Sequence, residues 1–185
     1  MQFVKKYNEF LTEDLYKECI ETARKLLNSP SQCFSTNRFW DYDIVKDSFP
    51  VIIHSINTDT QLYNRLKDEI LTKIKSDLEG KQISIQENPE FLFYYWTRYS
   101  YIPWHNDAKH YAALTIYLNE VWHPDWGGYF MYMENGIDTN TIKAIMPKKN
   151  NAMLQYGGVY HTTTAVNFDG ETRITLQVFF PKERI

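Results

Sequence analysis

Two side chains that can bind a metal ion, His105 and Asp107, lie two residues apart in the sequence. In an extended chain, residues i and i+2 point to the same face, so one imidazole and one carboxylate can reach the same ion. His161 lies far along the chain and follows two glycines. Two histidines and one carboxylate leave three positions open on an octahedral metal, the ligand set of non-haem Fe(II) oxygenases. Because His-x-Asp tripeptides also occur by chance, this spacing alone is weak support for an iron site.

A conspicuous arginine strengthens the hypothesis. Arg173 follows His161 by twelve residues and opens the last segment that is typical of a strand. If it is buried, its planar guanidinium suits a carboxylate better than a lysine would. Thr175 lies two residues further on, so its hydroxyl faces the same way. An exposed strand arginine is the alternative, since the alternation of this segment is too weak to decide.

Composition and charge exclude several classes of function. The formal net charge is −3 and the pI about 6.0, so no basic surface for nucleic acid is indicated. No apolar run of about 18 residues is present, which argues against a membrane span. The first ten residues lack the apolar segment of a secretory signal. Two cysteines are too few for a disulfide framework, so we expect reduced thiols and a cytoplasmic location. The oligomeric state cannot be read from the sequence.

The pattern of apolar residues changes from helical to extended near residue 80. Helical spacing predicts helices over 12–27 and 59–79, with Thr12 able to cap the first. After residue 80 the sequence predicts seven strands, over 82–86, 90–98, 112–119, 128–133, 141–146, 152–156 and 172–180. We therefore expect an α+β, mainly β fold, with helices packed on a β-sandwich or barrel. The expected organisation is one domain over 1–185, with 1–80 as helical support and 81–185 as the β core.

Residues 91–180 resemble the iron- and 2-oxoglutarate-dependent dioxygenases of the prolyl 4-hydroxylase-like type. The segments that carry the resemblance, in order along the chain, are 94–96, 104–107, 114–120, 126–130, 160–162 and 172–175. Each segment is unspecific by itself, but their order and spacing together are specific. The resemblance covers about half of the chain.

The resemblance implies a fold and a set of site residues. The fold is a double-stranded β-helix of the jelly-roll or cupin-like type. The metal ligands are His105, Asp107 and His161, while Arg173 pairs with the distal carboxylate of 2-oxoglutarate. The remaining cofactor-binding residues that the resemblance suggests are Tyr117, Tyr95, Thr175 and Thr115. Core or surface packing is the alternative for both tyrosines.

The resemblance also implies the reaction. The cofactors would be Fe(II), 2-oxoglutarate and O2, with ascorbate open as an addition, and the products would include succinate and CO2. The presence of Asp107 favours hydroxylation over halogenation, since related halogenases need a small residue there. The substrate would be a peptidyl prolyl residue, a free amino acid or another small metabolite. The aromatic-rich stretches 34–40 and 99–104 are candidates for a substrate lid.

Other metal sites and other functions have less support from these residues. His110 lies an odd number of residues after His105, which reverses the strand face, so we expect it in solvent or at the rim of the pocket. No closed set of four zinc ligands and no nucleotide-binding glycine motif is present. The main rival is a cupin-like β-barrel that binds a metal or small ligand without catalysis.

Overall fold

Two helices cover one side of a large β-sheet in the computed structural model. The structure describes residues 4–29, 51–81, 83, 88–134, 141–168 and 170–182. Helix α1 spans Glu13–Leu27 and helix α2 spans Gln61–Glu79. Thr60 caps α2 by accepting a hydrogen bond from the Tyr63 amide. Thr12 precedes α1 but makes no such cap, because its hydroxyl donates to Glu69 instead.

Ten strands form two antiparallel sheets over the described residues. They are β1 Val4–Tyr7, β2 Ile52–Ser55, β3 Glu90–Trp96, β4 Ile102–His105, β5 His110–Tyr117, β6 Phe130–Met133, β7 Ile142–Ile145, β8 Ala152–Tyr156, β9 His161–Thr163 and β10 Arg173–Pro181. The larger sheet has the order β1-β8-β5-β10-β3-β2 and the smaller sheet β4-β9-β6-β7. A short 3₁₀ helix, Pro124–Trp126, precedes β6.

Alternation along the strands of the larger sheet separates two packed faces. On β10, Ile174, Leu176 and Val178 face the helices and join the main hydrophobic core. The intervening Thr175 and Gln177 face the smaller sheet. Contacts between the sheets are made by Val4, Met153 and Phe130, among others. Alternate residues of each strand therefore line the space between the two sheets, and some of these residues are polar.

This architecture confirms the predicted α+β, mainly β class and the double-stranded β-helix. The predicted division at residue 80 is wrong in one respect, since β1 and β2 come from the first 80 residues and pair within the larger sheet. Two further strands, β4 with four residues and β9 with three, were not predicted. The predicted strand over 82–86 lies outside the described residues except for residue 83, and the stretch 34–40 lies wholly outside them.

No helix in the described part of the chain is long and apolar enough to cross a membrane.

Candidate active site

The short strands β4 and β9 bring the three predicted ligands together. His105 ends β4, His161 begins β9, and the two residues are paired in register. Asp107 lies in the turn after β4, where the His110 amide donates to its carbonyl. One ligand atom of each of the three residues lies within 4.8 Å of the other two. The triad thus sits at one end of the space between the sheets.

The ring nitrogens of both histidines have defined roles. In each ring Nδ1 lies 2.8 Å from a backbone carbonyl, that of Pro103 for His105 and that of Val159 for His161. A carbonyl only accepts, so Nδ1 carries the proton and Nε2 keeps its lone pair. The Nε2 atoms lie 3.6 and 3.5 Å from the two oxygens of Asp107.

Burial keeps His161 in the form that binds metals. The side chain is buried, and desolvation lowers its pKa although Asp107 acts in the opposite direction. A neutral imidazole is the species that coordinates a metal. At neutral pH the site therefore offers one uncharged nitrogen from His161 without first having to lose a proton.

A cavity between the sheets opens onto the triad. Its walls combine aromatic side chains with amides and hydroxyls. The lining residues besides the triad are Tyr94, Trp96, Ile102, Ala113, Thr115, Phe130, Gln155, Thr163, Gln177 and Phe179. No lysine, arginine or glutamate borders it among the described residues.

Arg173 lies behind this cavity and is fully buried. Its guanidinium carbon is 4.8 Å from the centre of the Trp96 ring and 5.3 Å from that of Tyr117. Burial lowers the pKa of Arg173 to about 10, and its Nε and Nη1 atoms have no hydrogen-bond partner among the described residues. A charged group that is buried with unsatisfied donors is costly unless an anion joins it. The arrangement is therefore suited to hold a carboxylate.

Comparison with known proteins agrees with this geometry. The family model described as the 2OG-Fe(II) oxygenase superfamily matches residues 90–181, about half of the chain. The chain belongs to the 2OG-Fe(II) oxygenase superfamily. It is accordingly a 2-oxoglutarate-dependent dioxygenase, and its cofactors are Fe(II), 2-oxoglutarate and O2. No curated protein sequence matches the chain.

Solved structures share the fold of this 2OG-Fe(II) oxygenase at low sequence identity. A prolyl-4-hydroxylase from Pseudomonas putida is 15% identical with a TM-score of 0.79, covering 100% of this chain and 95% of its own. A prolyl hydroxylase from Trichoplax adhaerens, in complex with a hypoxia inducible factor peptide, is 16% identical with a TM-score of 0.77, covering 99% and 85%. HygX from Streptomyces hygroscopicus, with nickel and 2-oxoglutarate bound, is 11% identical with a TM-score of 0.66, covering 98% and 84%.

The residues of this oxygenase fit both cofactors. Two imidazole Nε2 atoms and a carboxylate converge, which is the donor set expected for Fe(II). Behind them, the N–H groups of Arg173 that lack a hydrogen-bond partner and the buried hydroxyl of Tyr117 beside them fit the far carboxylate of 2-oxoglutarate. The converging metal-binding atoms and the donors behind them are all supplied by residues of this chain.

Three of the four additional cofactor-binding candidates lie on the cavity side of the larger sheet. Thr115 lines the cavity and donates to Gln177. Thr175 is fully buried and accepts from the Trp96 indole. Tyr117 lies beside Arg173, and burial raises the pKa of its hydroxyl. The hydroxyl is therefore protonated at neutral pH and able to donate.

The fourth candidate, Tyr95, is on the wrong face of its strand. Its hydroxyl donates to the carbonyl of Ala23 in α1, and its ring lies in the core beneath the helices. Neighbouring residues on a strand point to opposite faces, so Tyr94 lines the cavity instead. Tyr95 therefore has a structural role, and the prediction that it binds the cofactor is wrong.

The other histidines stay away from the ligand set. The His110 ring packs on Phe179, a residue of the cavity wall, which agrees with a position near the rim. His54 contacts Tyr95 on the helix side. His123 precedes the 3₁₀ helix and accepts from the Asp125 amide. None of the three is within the group of residues that could hold a metal.

Sequence reasoning missed two buried amides, Gln155 and Gln177, on the cavity wall. Each alternates with helix-facing apolar residues on its strand, so the strand parity of β8 and β10 was a usable signal. A glutamine that faces inward from a buried strand is unusual, because its amide must find partners there. This spacing would have pointed to a polar cavity.

Proposed function

We propose that this dioxygenase hydroxylates an unactivated C–H bond of a small molecule or peptide, with His105, Asp107 and His161 as the Fe(II) ligands. When bound, iron and 2-oxoglutarate together activate O2, and the 2-oxo acid leaves as succinate and CO2. The observation that carries the proposal is the convergence of two Nε2 atoms and one carboxylate in front of the buried Arg173. The Nε and Nη1 atoms of Arg173 have no hydrogen-bond partner among the described residues.

Each residue has a distinct task in this proposal. Nδ1 of each histidine donates to a carbonyl and so holds the ring with Nε2 toward the metal. Arg173 and Tyr117 donate to the far carboxylate of 2-oxoglutarate, with Thr175 as a further donor in the same wall. Aromatic walls formed by Tyr94, Phe130 and Phe179 exclude water around the reacting bond.

Two substrate classes agree with the site, a peptidyl prolyl residue and a free amino acid or small metabolite. The fold likeness to prolyl hydroxylases supports the first class. The absence of a lysine, arginine or glutamate from the described cavity wall gives no preference for a charged substrate. Hydroxylation rather than halogenation is supported by Asp107, whose carboxylate occupies one of the metal positions in this proposal. A single domain over 1–185 and a cytoplasmic location stay predictions.

Succinate release tests the proposal. The protein is incubated anaerobically with Fe(II) and 2-oxoglutarate, O2 is admitted, and succinate is measured with and without a panel of prolyl peptides and amino acids. We expect slow uncoupled succinate release that a true substrate accelerates, together with a product heavier by one oxygen atom. Arg173→Ala should release little succinate, because 2-oxoglutarate then binds weakly.

Two outcomes would contradict the proposal. Metal and 2-oxoglutarate binding without succinate across the whole panel would favour the cupin-like binding module. Unchanged 2-oxoglutarate affinity in Arg173→Ala, measured by calorimetric titration, would remove Arg173 from the cofactor site.

A further inference from the structure

The side chain of Gln155 contacts two of the three proposed metal ligands. It lies on β8, is 4% exposed and faces the cavity between the sheets. Its Nε2 donates to Oδ2 of Asp107 at 2.6 Å and lies 3.3 Å from Nε2 of His161. Asp107 is on a turn and lacks the strand pairing that fixes the two histidines. The contact with Gln155 is the one side-chain hydrogen bond found for its carboxylate in the described part of the chain.

The chemistry of the neighbours fixes which way the Gln155 amide points. Asp107 presents a carboxylate oxygen, and His161 presents the lone pair of Nε2 because its Nδ1 donates to Val159. Both are acceptors, so only the NH₂ end of the amide can face them. The opposite orientation would set a carbonyl oxygen against two acceptors.

The other end of the Gln155 amide has no partner in the described part of the protein. Oε1 of Gln155 is buried and has no hydrogen-bond partner among the described residues. An unpaired buried acceptor lowers the stability of the folded protein. The neighbouring amide, Gln177, is satisfied at both ends, because its Oε1 accepts from Thr115 and its Nε2 lies 3.4 Å from Thr175. The contacts of Gln155 with Asp107 and His161, and not a partner at Oε1 among the described residues, therefore orient its amide.

We propose that Gln155 is a positioning residue that holds the Asp107 carboxylate in its metal-binding orientation. A donor on Oδ2 leaves Oδ1 available to the metal and restrains rotation of the carboxylate on its turn. Hydrogen bonds to ligand carboxylates typically change metal affinity by about 10–100-fold. This inference rests on the proposed ligand role of Asp107.

Metal titration tests the proposal without a known substrate. Co(II) is titrated into the metal-free protein without 2-oxoglutarate, with the d–d absorption spectrum as the readout, for the wild type, Gln155→Leu and Gln155→Met. We expect both variants to bind Co(II) about 10–100-fold more weakly and to change the d–d bands. Thermal unfolding without metal should be unchanged or shifted upward, because the orphaned Oε1 is removed.

Two further variants make the result unambiguous. Gln177→Leu removes a buried amide from the same cavity without touching a ligand, so its Co(II) affinity should equal that of the wild type. His161→Ala should abolish tight binding. Wild-type affinity and spectrum in both Gln155 variants, with binding lost in His161→Ala, would overturn the role of Gln155 alone. Unchanged binding in His161→Ala would instead overturn the proposed ligand set.

Discussion

His105 and His161 face each other across β4 and β9 with their ring centres 4.3 Å apart. Each ring is oriented by the carbonyl two residues before it, Pro103 in one case and Val159 in the other, at 2.8 Å in both. The two strands therefore present the two histidines in the same way. Nδ1 is occupied in both, and the two Nε2 atoms lie 3.6 and 3.5 Å from the two carboxylate oxygens of Asp107. The site is preorganised by backbone contacts that do not depend on a metal.

Removing His161 should abolish tight metal binding. We expect His161→Ala to weaken Fe(II) or Co(II) affinity by more than the roughly 10–100-fold typical of changes to residues that hydrogen-bond a ligand, since a ligand itself is lost. Calorimetric titration of the metal under anaerobic conditions measures this affinity. His123→Ala is the matched control, because His123 is exposed and lies outside the triad. Equal loss of affinity in both variants would mean that the metal binds elsewhere.

Replacing Arg173 should separate stability from cofactor binding. Arg173→Met keeps an unbranched apolar stem but removes a buried charge that has no carboxylate partner among the described residues. We expect the free energy of unfolding without ligand to be unchanged or higher by about 1–4 kcal/mol. In the wild type, 2-oxoglutarate at 100 times its Kd should add about 2.7 kcal/mol, and this gain should vanish in the variant.

The stability cost of the buried Arg173 charge depends on pH, and the lowered pKa of Arg173 determines how. Burial brings the pKa to about 10, below that of the unfolded chain, so the cost of the buried charge is constant at lower pH. The cost declines only as the pH rises through 10. The stability difference between the wild type and Arg173→Met, measured by urea unfolding, should therefore be the same at pH 7 and pH 8. A clearly destabilised Arg173→Met would mean that the arginine already has a partner in the protein.

Two tyrosine variants distinguish the cofactor wall from the helix core. Tyr117→Phe removes a buried hydroxyl beside Arg173, so we expect little change in stability but weaker 2-oxoglutarate binding, by about 1.5–3 kcal/mol or roughly ten- to a hundredfold. Tyr95→Phe removes the bond to Ala23, so we expect lower stability, by about 1–2 kcal/mol, and normal 2-oxoglutarate binding. Unfolding curves and titration of each variant measure both quantities. The reverse pattern would restore Tyr95 to the cofactor site.

The error over Tyr95 shows what the sequence could not provide. Strand β3 is apolar at almost every position, Phe91–Trp96, because it is buried on both faces, and without alternation nothing indicates which tyrosine faces the cavity. The register of β3 against β10 decides it, since Trp96 is opposite Arg173. The triad, in contrast, was predictable because His105 and Asp107 are close in sequence and the surrounding segments occur in a specific order. The contact between Gln155 and Asp107 depends on pairing between distant strands and was not predictable.

The backbone at Gly128 limits the space around Arg173. Gly128 has φ of +68°, and a Cβ at this position would lie 2.8 Å from Cδ and 3.2 Å from Nε of Arg173. Gly128→Ala should therefore displace the guanidinium and weaken 2-oxoglutarate binding, in addition to backbone strain of about 1–2 kcal/mol. Gly158→Ala separates the two effects, because Gly158 has φ of +93° but a Cβ there would meet no atom within 4 Å. Both variants should lose stability, but only Gly128→Ala should lose 2-oxoglutarate affinity in calorimetric titration. Equal affinities would show that Arg173 can move aside without affecting the cofactor site.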